Sequence, residues 1–366
     1  MTGVSAQRAA RVALCLVMLV SVGAVLTACD GGKPTVAASP RATASRTAAG
    51  VRGRIVSRTA SGRHSPSGTE EVPAPAPLVP FGTSGGIGTG TWRAARRHVD
   101  GVPAVYETAL VPPGGTRLAG IAWMDTALLS ARLYSGSKSP GGGPYRFTAP
   151  VQPAQAMSLV AAFNGGFKMA DAHGGYYTEG RVIDPLVLGA ASLVIYTGGR
   201  VTVGAWGTDV RMTPGVVAVR QNLVPLVADG RPTALAASAD WQAWGSTCGV
   251  SSCAASVPGI EHQWRSGAGV TSDGALVYVV GPGLDPLQLA QLLARAGVVR
   301  GMQLDINPSW PVFASYMPAS PRGPAAPSNG SKLLATTRQG PWTFFEPWWA
   351  RDFITMSARP GTPGTG

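Results

Sequence analysis

The chain has 366 residues, 13% of them charged, and its 30 Lys and Arg against 18 Asp and Glu give a net charge of +12. After the N-terminus no segment supplies the ~20 apolar residues of a membrane-spanning helix, which excludes a multi-span membrane protein. Residues 29–88, a segment that cannot fold, carry 7 of the 30 Lys and Arg, and with an exported chain this argues against nucleic acid as a partner.

Arg8 and Arg11 precede an apolar run from Val12 to Leu26, and Leu26-Thr27-Ala28-Cys29 follows. This is the layout of a secretory signal peptide. Its end resembles the bacterial lipoprotein lipobox, which implies cleavage before Cys29 and a diacylglyceryl thioether on that sulfur. The alternative is an ordinary signal peptide with Cys29 close to its cleavage site. The mature protein is expected outside the cell, tethered to the outer face of the membrane. Losing Arg8 and Arg11 takes the charge from +12 to +10.

Residues 29–88 are rich in Ser, Thr, Ala, Pro and Gly, with Arg41, Arg46, Arg52, Arg54, Arg58 and Arg63 scattered among them. Such a segment buries too little apolar surface to offset chain entropy, so it reads as a flexible tether. Its positive charge suits an anionic membrane or wall polymer. Residues 360–366 read as a short disordered tail.

Residues 89–359 have low charge and many Gly, Val and Ala, which favours a strand-rich α/β (α+β) domain: one mixed sheet core with flanking helices. Val105 to Val111 and Arg117 to Trp123 surround Pro112-Pro113-Gly114-Gly115 and read as strand, turn, strand. Thr126 to Tyr134 extends that sheet or begins a helix. Pro153 to Met157 suits a helical turn before a small-residue strand, Leu159 to Phe163. That strand runs into Asn164-Gly165-Gly166-Phe167, where two glycines permit positive φ and a close approach by a ligand; a plain tight turn is the alternative. The next loop collects Asp171, His173, Tyr176, Tyr177, Glu179 and Arg181, a polar and aromatic set that suits a site loop.

Gly198-Gly199 between apolar runs signals a hairpin, and Val216 to Arg220 with Leu223 to Val227 suggests another. Ala236 to Trp264 is an irregular insertion with Trp241, Trp244, Trp264 and the Cys248–Cys253 pair. Outside the cell that pair is most simply a disulfide. No second Cys/His pair has zinc-ligand spacing. Ala275 to Val280 is apolar on both faces, as a central strand requires. Asp285-Pro286 opens a helix whose face is Leu289, Leu292, Leu293 and Ala296 and which Gly297 ends. The helix leads to Met302–Asn307, where Met302, Leu304 and Ile306 alternate with Gln303, Asp305 and Asn307. Strand–helix–strand implies a β–α–β unit, right-handed if its strands are parallel. Trp342 to Phe345 and Phe353 to Met356 read as closing strands.

The order of Asn164-Gly165-Gly166-Phe167, Arg265-Ser266-Gly267-Ala268-Gly269-Val270, Asp273-Gly274, Leu304-Asp305 and Arg351-Asp352-Phe353 resembles the phosphodiester glycosidase family, as a divergent lipoprotein-type member. The resemblance spans about Leu159 to Met356. It implies a domain that hydrolyses a sugar-1-phosphodiester at its glycosidic bond, with an envelope glycan or glycolipid as substrate here. Family motifs fall on Asn164 to Phe167, on Arg265 and on Asp305. The family's three glycines after the aspartate are replaced by Ile306-Asn307-Pro308, with Ser309 retained; Ile306 adds bulk and Pro308 removes an N–H donor.

The expected roles follow. Asp305 is the acid or base, Arg265 the cation for phosphate or else a structural ion pair. Glu179, Asp171 and Asp184 compete as a second carboxylate, and His173 is a proton shuttle or merely exposed. Asn164, Gly165, Gly166, Asn307 and Ser309 are expected to bind substrate. Asp305 and Asn307 with loop carbonyls suggest Ca²⁺ as a possible cofactor, though the ligand set is incomplete. The alternative function is a lipoprotein that binds a sugar phosphate or glycan without cleaving it.

Overall fold

A computed structural model describes residues 73–82, 90–245, 261–320 and 323–360, all within one compact unit, Pro66–Gly366. The signal peptide, Cys29, most of the tether, Cys248, Cys253 and the last six residues lie outside the described residues. No helix among the described residues is long and apolar enough to cross a membrane.

The principal strands in chain order are β1 (Val105–Leu110), β2 (Ala119–Met124), β3 (Leu129–Tyr134), β4 (Leu159–Asn164), β5 (Tyr176–Thr178), β6 (Ala191–Tyr196), β7 (Val201–Ala205), β8 (Val216–Gln221), β9 (Gln263–Thr271), β10 (Leu276–Leu284), β11 (Val298–Gln303), β12 (Phe313–Tyr316) and β13 (Phe353–Ala358). They form three sheets. The largest runs β1-β2-β10-β9-β11, extended at its ends by two-residue strands. The second runs β7-β6-β8-β5 and the third β12-β4-β13-β3, each with one short edge strand. Every ladder among the described strands is antiparallel, and parallel pairing is confined to isolated bridges such as Ser135 with Thr148. The strand-rich α+β expectation holds.

The three sheets converge on one core. Tyr278, Val280 and Met302 of the largest sheet, Leu193 and Ile195 of the second, and Phe163, Phe313 and Ile354 of the third pack in a single apolar cluster. Alternation along β10 sends Val277 and Val279 to the opposite face, where they meet Leu289, Leu292 and Leu293. Those leucines belong to the helix Pro286–Arg295, the longest among the described residues. It starts as expected: Asp285 Oδ1 accepts from Gln288 N (2.7 Å), Gln288 Oε1 accepts from Asp285 N (3.1 Å), and Pro286 fills the first turn. Gly297, at φ 86°, ends it. Fully burying each such leucine stabilises the fold by about 1.5–3 kcal/mol.

The β–α–β unit is present with one strand between its two, and three other local expectations change. β10 and β11 are both antiparallel to β9, which lies between them, so they run in the same direction without touching. The helix therefore links two strands across an intervening third. Leu223 to Val227 does not pair with β8. Leu223 takes a positive φ of 56°, and the chain crosses to the largest sheet, where Val227 pairs with Gly301. Leu129–Tyr134 is a strand but joins β13 in the third sheet, not β2. Pro341–Phe345 is a 3₁₀ helix, because Pro341 and Gly340 favour a turn over a ladder and buried Phe344 packs inward.

Candidate active site

The Met302–Asn307 stretch does not continue as a strand. β11 ends at Gln303. Met302 and Leu304 stay in the three-sheet core, whereas Ile306 turns into the cluster that holds Phe167 and Trp244. The turn is made by side chains acting as backbone surrogates. Asp305 Oδ1 accepts from Ile306 N (2.8 Å) and Asn307 N (3.0 Å), and Asn307 Oδ1 accepts from Ser309 N (2.9 Å). Two successive Asx turns therefore build the loop that sequence reasoning assigned to substrate. Asn307 and Ser309 shape it; Ser309 also meets Gln339 Nε2 through its carbonyl (3.1 Å).

Asn164 is drawn to the same place from β4. Its Nδ2 donates to Ser266 Oγ (3.1 Å), and its Oδ1 accepts from Tyr278 Oη (2.7 Å) and Val312 N (3.1 Å). Ser266 Oγ in turn accepts from Asp305 N (3.2 Å), while Ser266 N donates to Asp305 O (2.8 Å). Asn164, Ser266, Tyr278 and Asp305 thus form one buried network. The glycines beside Asn164 are required by proximity. A Cβ on Gly165 would lie 2.1 Å from Asp352 Oδ2, and one on Gly166 would lie 2.7 Å from Asn222 Oδ1. Gly165 and Gly166 serve close backbone packing around the buried Arg220–Asp352 pair, joined Nε to Oδ2 at 2.8 Å.

Asp305 itself is 2% exposed. Its Oδ2 accepts from Arg351 Nη2 at 3.0 Å. Burial pushes the Asp305 carboxyl up to about 6, against the opposing pull of Arg351 and of the two backbone N–H groups. Arg351 is the cation at this carboxylate, and it is only partly satisfied. Its Nε and Nη1 are buried without a hydrogen-bond partner. Its guanidinium carbon lies 4.9 Å from the ring centre of Trp310, and Trp310 meets Trp349 edge-on at 5.2 Å. Trp349 Nε1 is likewise buried without a partner. Arg351 Nε, Arg351 Nη1 and Trp349 Nε1 are therefore three buried polar atoms that can only donate and have no partner within the chain. Donors of this kind suit a group that can only accept.

The other expected residues stand elsewhere. Arg265 is fully buried, and its donors go to Leu284 O (2.8 Å), Gln303 Oε1 (2.7 Å), Glu261 O (3.0 Å) and Trp244 O (3.5 Å). Strand alternation points it away from Ser266, its neighbour on β9, so it braces the base of the Trp244 segment. Burial lowers its pKa to about 10, with Asp285 acting in the opposite sense. Glu179 accepts from Arg146 N (3.0 Å) and Phe147 N (2.9 Å), in a hairpin beyond the end of β5 farthest from Arg220. His173 ends the turn Met169–Ala172 in a left-handed conformation and is exposed, as is Asp171. Asp305 faces N–H donors and a guanidinium, surroundings that oppose Ca²⁺. No cluster of three His, Cys, Asp or Glu among the described residues could hold a metal.

Sequence reasoning placed Arg351 in a motif without giving it a role, and it did not assign Ser266, Tyr278 or Trp310. An arginine two positions before a strand was the available signal for Arg351. Nothing in sequence marked the tyrosine, because β10 reads as uniformly apolar.

No protein-family model matches this sequence, and neither does any curated protein. Solved structures that resemble it include the zebrafish N-acetylglucosamine-1-phosphodiester alpha-N-acetylglucosaminidase catalytic domain, auto-inhibited by its pro-peptide, at 14% identity and a TM-score of 0.40, covering 74% of this chain and 88% of that one. A hypothetical protein from Synechocystis has 11% identity and a TM-score of 0.40, over 71% of this chain and 63% of that one. A Burkholderia pseudomallei protein named "putative exported protein" has 13% identity and a TM-score of 0.34, over 66% of this chain and 74% of that one.

Proposed function

We propose that this protein is a hydrolase that cleaves a sugar-1-phosphodiester at the bond between the anomeric carbon and the phosphate oxygen. The observation that carries the reading is the set of unpartnered buried donors, Arg351 Nε, Arg351 Nη1 and Trp349 Nε1, beside a carboxyl pushed up to about 6. The donors suit an acceptor-only group such as a phosphodiester. Trp310, partly exposed beside the guanidinium, offers a face for the sugar ring.

The chemistry needs few parts. Water attacks the anomeric carbon, the carbon–oxygen bond to phosphate breaks, and the electron pair leaves on the phosphate monoester. That leaving group has a second pKa of about 6 and departs without a proton, so one carboxylate suffices. Asp305 takes the proton of the attacking water as general base. Arg351 stabilises the charge that grows on the leaving phosphate. The network of Asn164, Ser266 and Tyr278 holds the Asp305 backbone, and the Asx turns fix its side chain. We further propose that the enzyme acts on an envelope glycan or glycolipid, from the outer face of the membrane, through a lipid on Cys29.

A second reading is favoured by one observation. Both Asp305 oxygens already accept hydrogen bonds and the residue is almost fully buried. A protein of this kind could hold a sugar phosphate at Arg351 without cleaving it. Turnover of a sugar-1-phosphodiester separates the two. On the enzyme reading Asp305→Asn lowers kcat by about 10²–10⁴-fold, and Arg351→Gln lowers kcat and raises KM. Saturable binding of intact substrate with no turnover by the wild type would establish the second reading.

A further inference from the structure

A concavity lies apart from Asp305, and Asp305 is not among its lining residues. It has a volume of about 600 Å³ and lies between β3, the edge strand of the third sheet, and the turn that joins β6 to β7. Arg351 and Arg359 flank β13 at opposite ends, roughly 25 Å apart at ~3.3 Å per residue, and Arg359 lines this cleft. Its floor is apolar, with Leu133, Ile195 and Ala218, all buried. Arg132, Arg146 and Arg359 stand around it, and Glu179 is the single carboxylate among the lining residues. That carboxylate is committed to the backbone N–H groups of Arg146 and Phe147.

The arginines are held without being neutralised by the cleft. Arg132 and Arg146 are exposed. Their guanidinium carbons lie 3.9 and 5.1 Å from the ring centre of Phe147, which holds both against one aromatic ring. Arg359 donates to Gly198 O and to Thr126 O (2.9 Å); burial lowers its pKa, and Asp125, which does not line the cleft, acts in the opposite sense. An apolar floor beneath a positive rim is complementary to a molecule that is greasy at one end and negative at the other. A polyanionic glycan would meet the rim but leave the floor uncovered by anything apolar.

We propose that this cleft binds a single-chain anionic amphiphile, with a carboxylate or phosphate head on the arginines and its chain on Leu133, Ile195 and Ala218. The volume is that of a small-molecule site, which suits one short chain and its head. This site is independent of the reaction at Asp305.

The test is calorimetric titration of the full-length protein with decyl phosphate, inorganic phosphate and the uncharged detergent octyl glucoside. Decyl phosphate is expected to bind saturably, one per chain, and neither of the others at comparable concentration. Arg132→Gln should weaken it by about tenfold or more, the value of a charge-assisted hydrogen bond. Val217→Glu, which puts a negative charge on an exposed wall residue, should weaken it at least as much. Binding of inorganic phosphate as tightly as decyl phosphate would overturn the proposal in favour of a bare anion site. Equal binding of octyl glucoside would reduce the cleft to a greasy patch. Unchanged affinity in both variants would place the amphiphile elsewhere and equally overturn it.

Discussion

Asp305→Asn should make the protein more stable near neutral pH while disabling it. The Asp305 carboxyl is buried, and its pKa rises from the ordinary 3.8 to about 6 even with Arg351 beside it. A carboxyl raised in the folded state favours folding in its protonated form. That contribution is fully present below the ordinary value, falls away as pH rises between 3.8 and about 6, and is gone above. The difference corresponds to about 3 kcal/mol. Asn shares the neutrality of the protonated form: its Oδ1 can still accept from Ile306 N and Asn307 N and it never ionises, but its Nδ2 cannot accept from Arg351 Nη2, so the full difference is an upper bound. At about pH 8 the variant should therefore be more stable by up to ~3 kcal/mol, which raises Tm by roughly 5–10 °C for a domain of this size. Below pH ~4 the advantage of the variant should be absent. The assay is thermal or urea unfolding of wild type and variant across this range. A variant less stable than wild type at about pH 8, by the ~3–5 kcal/mol typical of stranding one partner of a buried pair, would refute the reasoning. It would mean that the Asp305–Arg351 contact is a structural brace whose attraction outweighs desolvation.

Other outcomes follow from neighbouring contacts. Gly165→Ala forces a Cβ to within 2.1 Å of Asp352 Oδ2, in a pair with no exposed side to yield into; expression should fall sharply or the domain should lose several kcal/mol in urea unfolding, about the cost of overpacking plus a broken buried pair. Tyr278→Phe removes a donor to Asn164 Oδ1, which keeps its bond from Val312 N; a loss of about 1–2 kcal/mol is expected, with the fold intact by circular dichroism. Peptide mass spectrometry without reduction should find Cys248 joined to Cys253, and two free thiols would end that expectation. Cys29→Ala should release the protein from membranes or block its processing, read from fractionation and intact mass.

The parts of the fold that sequence revealed are those governed by neighbours along the chain. The capped helix after Asp285, the Gly198-Gly199 hairpin and the central strand β10 each carry a local signal, and each is present. What sequence could not show is which sheet a strand joins. Leu129–Tyr134 and Leu223–Val227 have ordinary apolar patterns, and their partners are decided by packing between sheets. The site divides in the same way. Asp305 and Asn164 were recognisable as polar residues where strands meet loops, and a single hydroxyl, Ser266 Oγ, bonds to both. Arg265 was misleading because a buried arginine and a phosphate-binding arginine look alike in one dimension. Its strand neighbour Ser266 faces the network, so strand parity alone turns Arg265 away.

The buried network also sets when during folding the site can exist. Its bonds join residues far apart along the chain: Asn164 to Ser266 across 102 positions, Asn164 to Val312 across 148, and Arg220 to Asp352 across 132. Each contact closes a long loop before it returns any stabilisation, and chains dominated by such contacts fold slowly. Arg351 follows Asp305 by 46 positions, so the carboxylate at Asp305 has no counter-charge until that further stretch of chain has emerged. A nascent or truncated chain that ends before Phe353 cannot be a weaker version of the folded protein. It lacks β13, which lies between β4 and β3 in the third sheet, and leaves those two strands with bare edges that invite pairing with other chains.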